Sequence, residues 1–119
     1  MVMGKHKGNS FENKTYKDLR KILPDLKLTI GSGNSERDAD LTSDKYVFEL
    51  KHYKKLSDKQ LEDFFIKVFE EAMAYHKIPI LIYKENYKPI KVMMELKFRN
   101  YMVSAIISYE DFKGMINDD

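Results

Sequence analysis

Asp40-Leu41-Thr42-Ser43-Asp44-Lys45-Tyr46-Val47-Phe48-Glu49-Leu50-Lys51 reads as two short strands around a Ser43-Asp44-Lys45 turn, and it carries charge where a strand should be apolar. Side chains alternate across a strand, so Val47, Glu49 and Lys51 share one face while Tyr46, Phe48 and Leu50 share the other. The second face is predicted to be core. The first ends in an acid and a base two positions apart, and Asp40, on the preceding strand, can lie opposite them across the hairpin. Two carboxylates beside an ammonium suit a divalent metal and the activation of water. Asp38, on the same expected face as Asp40 but nearer the preceding loop, is the fallback ligand.

Toward the N-terminus, Leu26 to Ile30 alternates and predicts a first strand. It runs into Gly31-Ser32-Gly33-Asn34-Ser35, whose small residues let backbone N–H groups approach an anion, and Arg37 just beyond is placed for a phosphate contact. Before this strand, a helix is expected from Gly8-Asn9-Ser10 to about Leu23, stopped by Pro24 and Asp25. At ~100° per residue, Tyr16, Leu19 and Leu23 stack on one stripe, with Phe11 and Ile22 at its edge and Glu12 in its middle. A carboxylate there is costly unless a polar or positive group receives it. Two readings stand. Asn9 is the N-cap and Glu12 reaches back to it from the third helical position, or Glu12 faces the sheet and meets Lys51 or a hydrated metal ion.

Toward the C-terminus, Ser57-Asp58-Lys59-Gln60 has the form of a capping box. The helix it opens, to about Tyr75, sets Leu61, Phe64, Phe65, Val68, Phe69, Ala72 and Met73 on a broad apolar face, which is core and not a cofactor box. His76 and Lys77 suit its C-terminus electrostatically. Ile78 to Tyr83 is nearly unbroken apolar, as in a strand covered on both faces. Lys84 to Pro89 reads as a turn, and Ile90 to Arg99 alternates like a strand with one wet face. That strand holds a second Glu-Leu-Lys, Glu95 to Lys97, which lacks an acid-bearing hairpin and a glycine loop before it and is read as solvated. Tyr101 to Ser108 is a further short strand, and Ser108 caps a last helix with Phe112, Met115 and Ile116 inward.

The 119 residues make a single domain, 1–119, and 43% hydrophobic with 34% charged residues fits a soluble globular protein. No apolar run approaches the ~20 residues of a membrane span. With no signal-peptide pattern at the start, an unprocessed cytoplasmic protein is expected. The absence of cysteine excludes disulfides and thiolate metal sites, and His6, His52 and His76 lack ligand spacing. Net charge is only +2, but residues 1–27 hold seven Lys and Arg against three acids. A second basic group, Lys51, Lys54 and Lys55 with His52, follows the acid strand. On one side of the fold the two groups form a phosphate-binding surface, and apart they merely solvate it.

The order of helix, three strands, helix, strand, one or two more strands and a final helix predicts an α/β (α+β) fold, a mixed sheet with helices on both faces. With an acid on the first helix (Glu12), an acid on the second strand (Asp40) and Glu49-x-Lys51 on the third, the chain resembles the PD-(D/E)XK nuclease superfamily. Lys7-Gly8-x-x-Phe11-Glu12 followed by Gly31-Ser32-Gly33 is similar to the small Holliday junction resolvases of archaea and phages, although Asp40 follows Ala39 where those often carry proline or glycine.

The resemblance implies a restriction-endonuclease-like αβββαβ core with extra C-terminal strands and a short helix. It also implies catalysis by Glu12, Asp40, Glu49 and Lys51, and Mg²⁺, with Mn²⁺ as a substitute, held by Glu12, Asp40, Glu49 and the Leu50 carbonyl. DNA contacts are expected from Lys5, Lys7, Ser32, Arg37, Lys54 and Lys55, while Gln60 is read first as a capping residue, with a role towards DNA as the second reading. The implied partners are branched DNA and a second copy in a C2 homodimer, since cutting two strands needs two sites. No membrane and no small-molecule cofactor are implied. The alternatives are a restriction- or repair-type nuclease of the same superfamily, and a non-catalytic DNA-binding module on this fold.

Overall fold

The computed structural model describes residues 3–28 and 41–117. Along the chain run α1 (Met3–Arg20), β1 (Lys27–Leu28), β2 (Leu41–Thr42), β3 (Tyr46–Tyr53), α2 (Asp58–Ala74), β4 (Ile78–Glu85), β5 (Lys91–Phe98), β6 (Tyr101–Ser108) and α3 (Tyr109–Asn117). The expected αβββαβ order is present, extended by β5, β6 and α3. The sheet order is β1-β2-β3-β4-β5-β6, and every pair is antiparallel except β3 with β4, which α2 connects. A parallel pair cannot be joined by a tight turn, so a crossover helix is required there.

Two apolar layers flank the sheet. On one side Tyr46, Phe48 and Leu50 of β3 pack with Ile80, Ile82, Val92 and Met94 under α1 and α3. On the other, Val47, Leu81 and Tyr83 pack under Leu61, Phe65, Val68 and Ala72 of α2. Both faces of β3 are therefore covered, where only the Tyr46 face was expected to be core. Two residues of the predicted apolar helical faces turn outward instead, Met73 at 49% and Met115 at 42% exposure, because each lies on the flank of its stripe.

The helix boundaries have local causes. α1 begins at Met3, so Asn9 lies inside the helix and is not its cap, which removes the capping account of Glu12. Gly4 and Gly8 are the two residues between Met3 and Ser10 that clearly oppose helix, each at a cost of about 1 kcal/mol. At the other end, the residue before a proline is disfavoured in helical conformation, so the chain tightens ahead of Pro24. There the Ile22 N–H donates to the Leu19 carbonyl at 2.9 Å.

The capping box of α2 is complete: the Gln60 N–H donates to Ser57 Oγ at 3.1 Å, and the Ser57 N–H to Gln60 Oε1 at 2.9 Å. The helix closes with His76 in the left-handed region (φ 57°), the His76 N–H on Met73 O and the Lys77 N–H on Ala72 O. That is the Schellman pattern, with histidine in the place glycine usually takes. Pro79 sits inside β4, where a missing N–H is normally excluded. Ile78 N–H bonds toward β3 and the ladder to β5 starts only at Ile80 opposite Met94, so no partner is lost.

α1 and α3 are tied by a polar clamp: Lys113 Nζ donates to Asp18 Oδ2 at 2.9 Å and the Tyr109 hydroxyl to the same oxygen at 2.8 Å. The Lys113 bond holds the Asp18 carboxyl below its ordinary 3.8, while burial and the Asp18 bond push the Tyr109 phenol up. A depressed acid contributes stability above its unfolded pKa and loses it as pH falls through the folded value. The urea midpoint is therefore expected to drop below about pH 3.8, and Asp18→Asn should flatten that drop. Equal pH slopes for the two proteins would overturn this account.

Candidate active site

Glu49 lies on β3 with the side chain 2% exposed, facing α2. Lys51, two residues on and on the same face, brings Nζ to 3.1 Å from Glu49 Oε2. Its ammonium also sits 4.7 Å from the centre of the Phe64 ring, and Phe64 in turn leans on Tyr53 at 5.7 Å. Burial of a carboxylate is costly unless it is paired and hydrogen-bonded, and among the described residues Glu49 is the one buried acid. Beside Lys51 in the parallel register is Tyr83, whose phenol burial pushes up, with the charges of Glu85 and Asp58 adding to the effect. It stays protonated at neutral pH.

The antiparallel ladder from β2 is described only as far as Leu41 opposite Phe48. At its closed end, Ser43 N–H bonds to Tyr46 O at 2.9 Å, and Lys77 Nζ donates to Ser43 O at 2.7 Å. The hairpin is thus anchored at its turn, away from the Glu49 end, as the Ser43-Asp44-Lys45 reading required.

Glu12 is half-buried on α1. The helix's buried line runs through Phe11, Thr15 and Leu19, with Glu12 on its flank and not in its middle. Phe11 packs edge-on to His52 at 5.6 Å, so α1 lies over the Tyr46 face of β3 while Glu49 and Lys51 face α2. Among the described residues, Glu12 and the Glu49–Lys51 pair are thus carried on opposite faces of β3.

Asp40, its fallback Asp38, Ser32 and Arg37 lie outside the described residues. Lys5 and Lys7 fall within α1, and Lys54 and Lys55 are exposed directly after β3. His52, grouped by sequence with these lysines, turns to the other face and pairs through Nε2 with Asn86 Oδ1 at 3.2 Å. The echo at Glu95 is half-buried and Lys97 is exposed, unlike the enclosed Glu49.

Among the described residues, no three His, Cys, Asp or Glu side chains are grouped closely enough to hold a metal ion. Glu49 is an oxygen donor of the kind Mg²⁺ takes, and the residue preceding Leu41 in sequence is a second. Phe64, which periodicity placed on the core face of α2, packs against that core and also covers the Lys51 ammonium, a contact that periodicity did not foresee. A cavity of about 420 Å³ lies on the other side of β3, lined in part by Phe11, Thr15, His52 and Tyr109, and neither Glu49 nor Lys51 reaches it.

The family model described as "Phage putative PDDEXK endonuclease" matches residues 3–113. Among solved structures, the chain is similar to the Holliday junction resolvase Hjc of the archaeal hyperthermophile Archaeoglobus fulgidus. The identity is 15%, the TM-score 0.57, and the match covers 90% of this chain and 100% of that one. At that identity the likeness is one of fold, and it places the sheet and helices in the restriction-endonuclease-like class. No curated protein matches the sequence.

Proposed function

We propose, from the premise that this chain belongs to the phage PDDEXK endonuclease family, that it is a divalent-metal-dependent endonuclease that resolves four-way DNA junctions. The observation that carries the proposal is the buried Glu49 with Lys51 at 3.1 Å on one strand, beside the end of the described β2 ladder. The fold likeness to a Holliday junction resolvase supports the choice of substrate.

In this reading Asp40, Glu49 and the Leu50 carbonyl would hold Mg²⁺, for which Mn²⁺ would substitute, and Glu12 would serve the same ion or position Lys51. When bound, the ion supplies polarisation of the scissile phosphate and a lower pKa for the attacking water. The work of the chain's own groups is separate. Lys51, held by Glu49 and covered by Phe64, directs its ammonium at the attacking water or at the charge developing on the phosphate. Glu49 keeps Lys51 aimed. Lys5, Lys7, Ser32, Arg37, Lys54 and Lys55 hold the DNA backbone, so affinity falls steeply with salt.

Two cuts need two sites, which one domain supplies as a C2 homodimer. The β5–β6 hairpin supports a second copy: it turns through two residues, Arg99-Asn100, with Arg99 at φ 58°, and leaves Phe98, Tyr101, Met102, Val103 and Ile106 45–71% exposed. Apolar surface of that extent on an edge strand invites pairing with another chain.

The test is cleavage of a labelled immobile junction, run beside linear duplex and single strand, with Mg²⁺ and with EDTA. Paired nicks on the junction in Mg²⁺ alone are expected, from a species that sediments as a dimer. Nicking of linear duplex as readily as the junction would overturn the substrate assignment.

A further inference from the structure

The turn after β4 carries a tyrosine that the fold does not use. Tyr87 is 100% exposed and sits in the left-handed region at φ 64°. A side chain with a Cβ is disfavoured there, and the ring touches nothing that would offset the strain. Asn86, the residue type that adopts this conformation more readily, stands one position earlier.

The turn itself is fixed. The Asn86 N–H bonds to Tyr53 O at 3.2 Å, and the Leu56 N–H donates to Glu85 Oε2 at 2.7 Å. With the His52–Asn86 contact at 3.2 Å, these bonds lock the β4–β5 turn to the segment after β3. The Leu56 N–H also holds the Glu85 carboxyl below its ordinary value, so at neutral pH the clamp is ionised and intact.

Position and charge give the ring a use. Tyr53 is opposite Glu85 in the register, so the turn starts just past a point two strand residues, ~7 Å, beyond Lys51, with Tyr87 two residues further along the chain. Around it, Lys54 and Lys55 are exposed and Lys88 is 59% exposed. The one acid in the turn, Glu85, is engaged by Leu56 and by Lys88 at 3.7 Å. An exposed aromatic ring on a fixed turn among lysines has the chemistry of a site for a nucleobase that has left its stack, with the flanking phosphates on the ammonium groups.

We propose that Tyr87, with Lys54, Lys55 and Lys88, forms a stacking site for an unpaired base at the branch of the DNA substrate. This rests on the nuclease reading above and assigns one contact of its substrate. Because the turn is preformed, little ordering entropy opposes binding.

The experiment uses the full chain in EDTA, which blocks cleavage, and a four-way junction carrying 2-aminopurine at the branch point. Anisotropy gives affinity, and 2-aminopurine fluorescence reports stacking. Tyr87→Gly should leave the melting temperature unchanged or higher, because glycine relieves the left-handed strain. It should weaken junction binding by about 5- to 100-fold and abolish the fluorescence quench, as loss of one base stack does. Tyr87→Phe should retain both. Lys88→Ala should instead lower the slope of log affinity against log salt by about 1.

Wild-type affinity and quenching in Tyr87→Gly, with junction cleavage in Mg²⁺ intact, would overturn this proposal alone. An equal loss of affinity for fully paired linear duplex would also overturn it, since a paired base cannot stack there. Failure of the wild-type protein to bind or cut the junction would remove the substrate reading together with it.

Discussion

Glu49→Gln is expected to lower single-turnover cleavage by about 10²–10³-fold or more, the loss that follows removal of one preorganised electrostatic group from a site. The substitution keeps the shape of a side chain that is 2% exposed and removes its charge. Lys51, with 25% of its side chain exposed, keeps a solvated route when its partner is neutral. Removing a buried carboxylate also removes its desolvation penalty, so the urea midpoint should stay or rise. Junction binding should survive, since the proposed phosphate contacts are other residues. The control is Glu95→Gln, in the second Glu-Leu-Lys, which should cleave like the unmodified protein. Cleavage at an unchanged rate in Glu49→Gln would show that this pair is structural and would end the nuclease-site assignment. Loss in both variants would point to folding instead.

The second large effect is on stability. Phe48 is fully buried at the centre of the layer under α1 and α3, edge-on to Phe112 with ring centres 6.3 Å apart and planes at 81°. Phe48→Ala should cost about 3–5 kcal/mol by urea denaturation, combining lost burial with the cavity left between sheet and helix. Phe112→Ala should cost a similar amount. The double variant should fall short of the sum by about 0.5–1.5 kcal/mol, the coupling of an aromatic pair. A cost below about 1.5 kcal/mol for Phe48→Ala would mean that α3 can collapse onto the sheet, and that the C-terminal extension is docked more loosely than its packing indicates.

Much of the local structure was legible because it depends on neighbours in sequence. The alternation of Tyr46 to Lys51 placed Glu49 and Lys51 together, and the 3.1 Å contact follows from that spacing. Ser57 and Gln60 announced the start of α2, and the unbroken apolar run from Ile78 announced a strand covered on both faces. Asn9 misled because a cap residue predicts a helix start only when the preceding residues cannot themselves be helical. Of the seven from Met3 to Asn9, only Gly4 and Gly8 clearly oppose helix, and α1 runs through both.

The sequence alone determined which side chains of β3 travel together, the element order and the pairing of acid with base on one strand, since these follow from backbone periodicity and short-range hydrogen bonds. Only the tertiary structure decided that α2, and not the helix carrying Glu12, covers Glu49 and Lys51. Period-two alternation says which side chains travel together but not which layer covers them, because the path of the crossover between β3 and β4 decides that. The same holds for Tyr87. Nothing in Asn86-Tyr87-Lys88 says that the ring stands fully exposed beside the end of β3. Hydrogen bonds between residues more than thirty positions apart put it there.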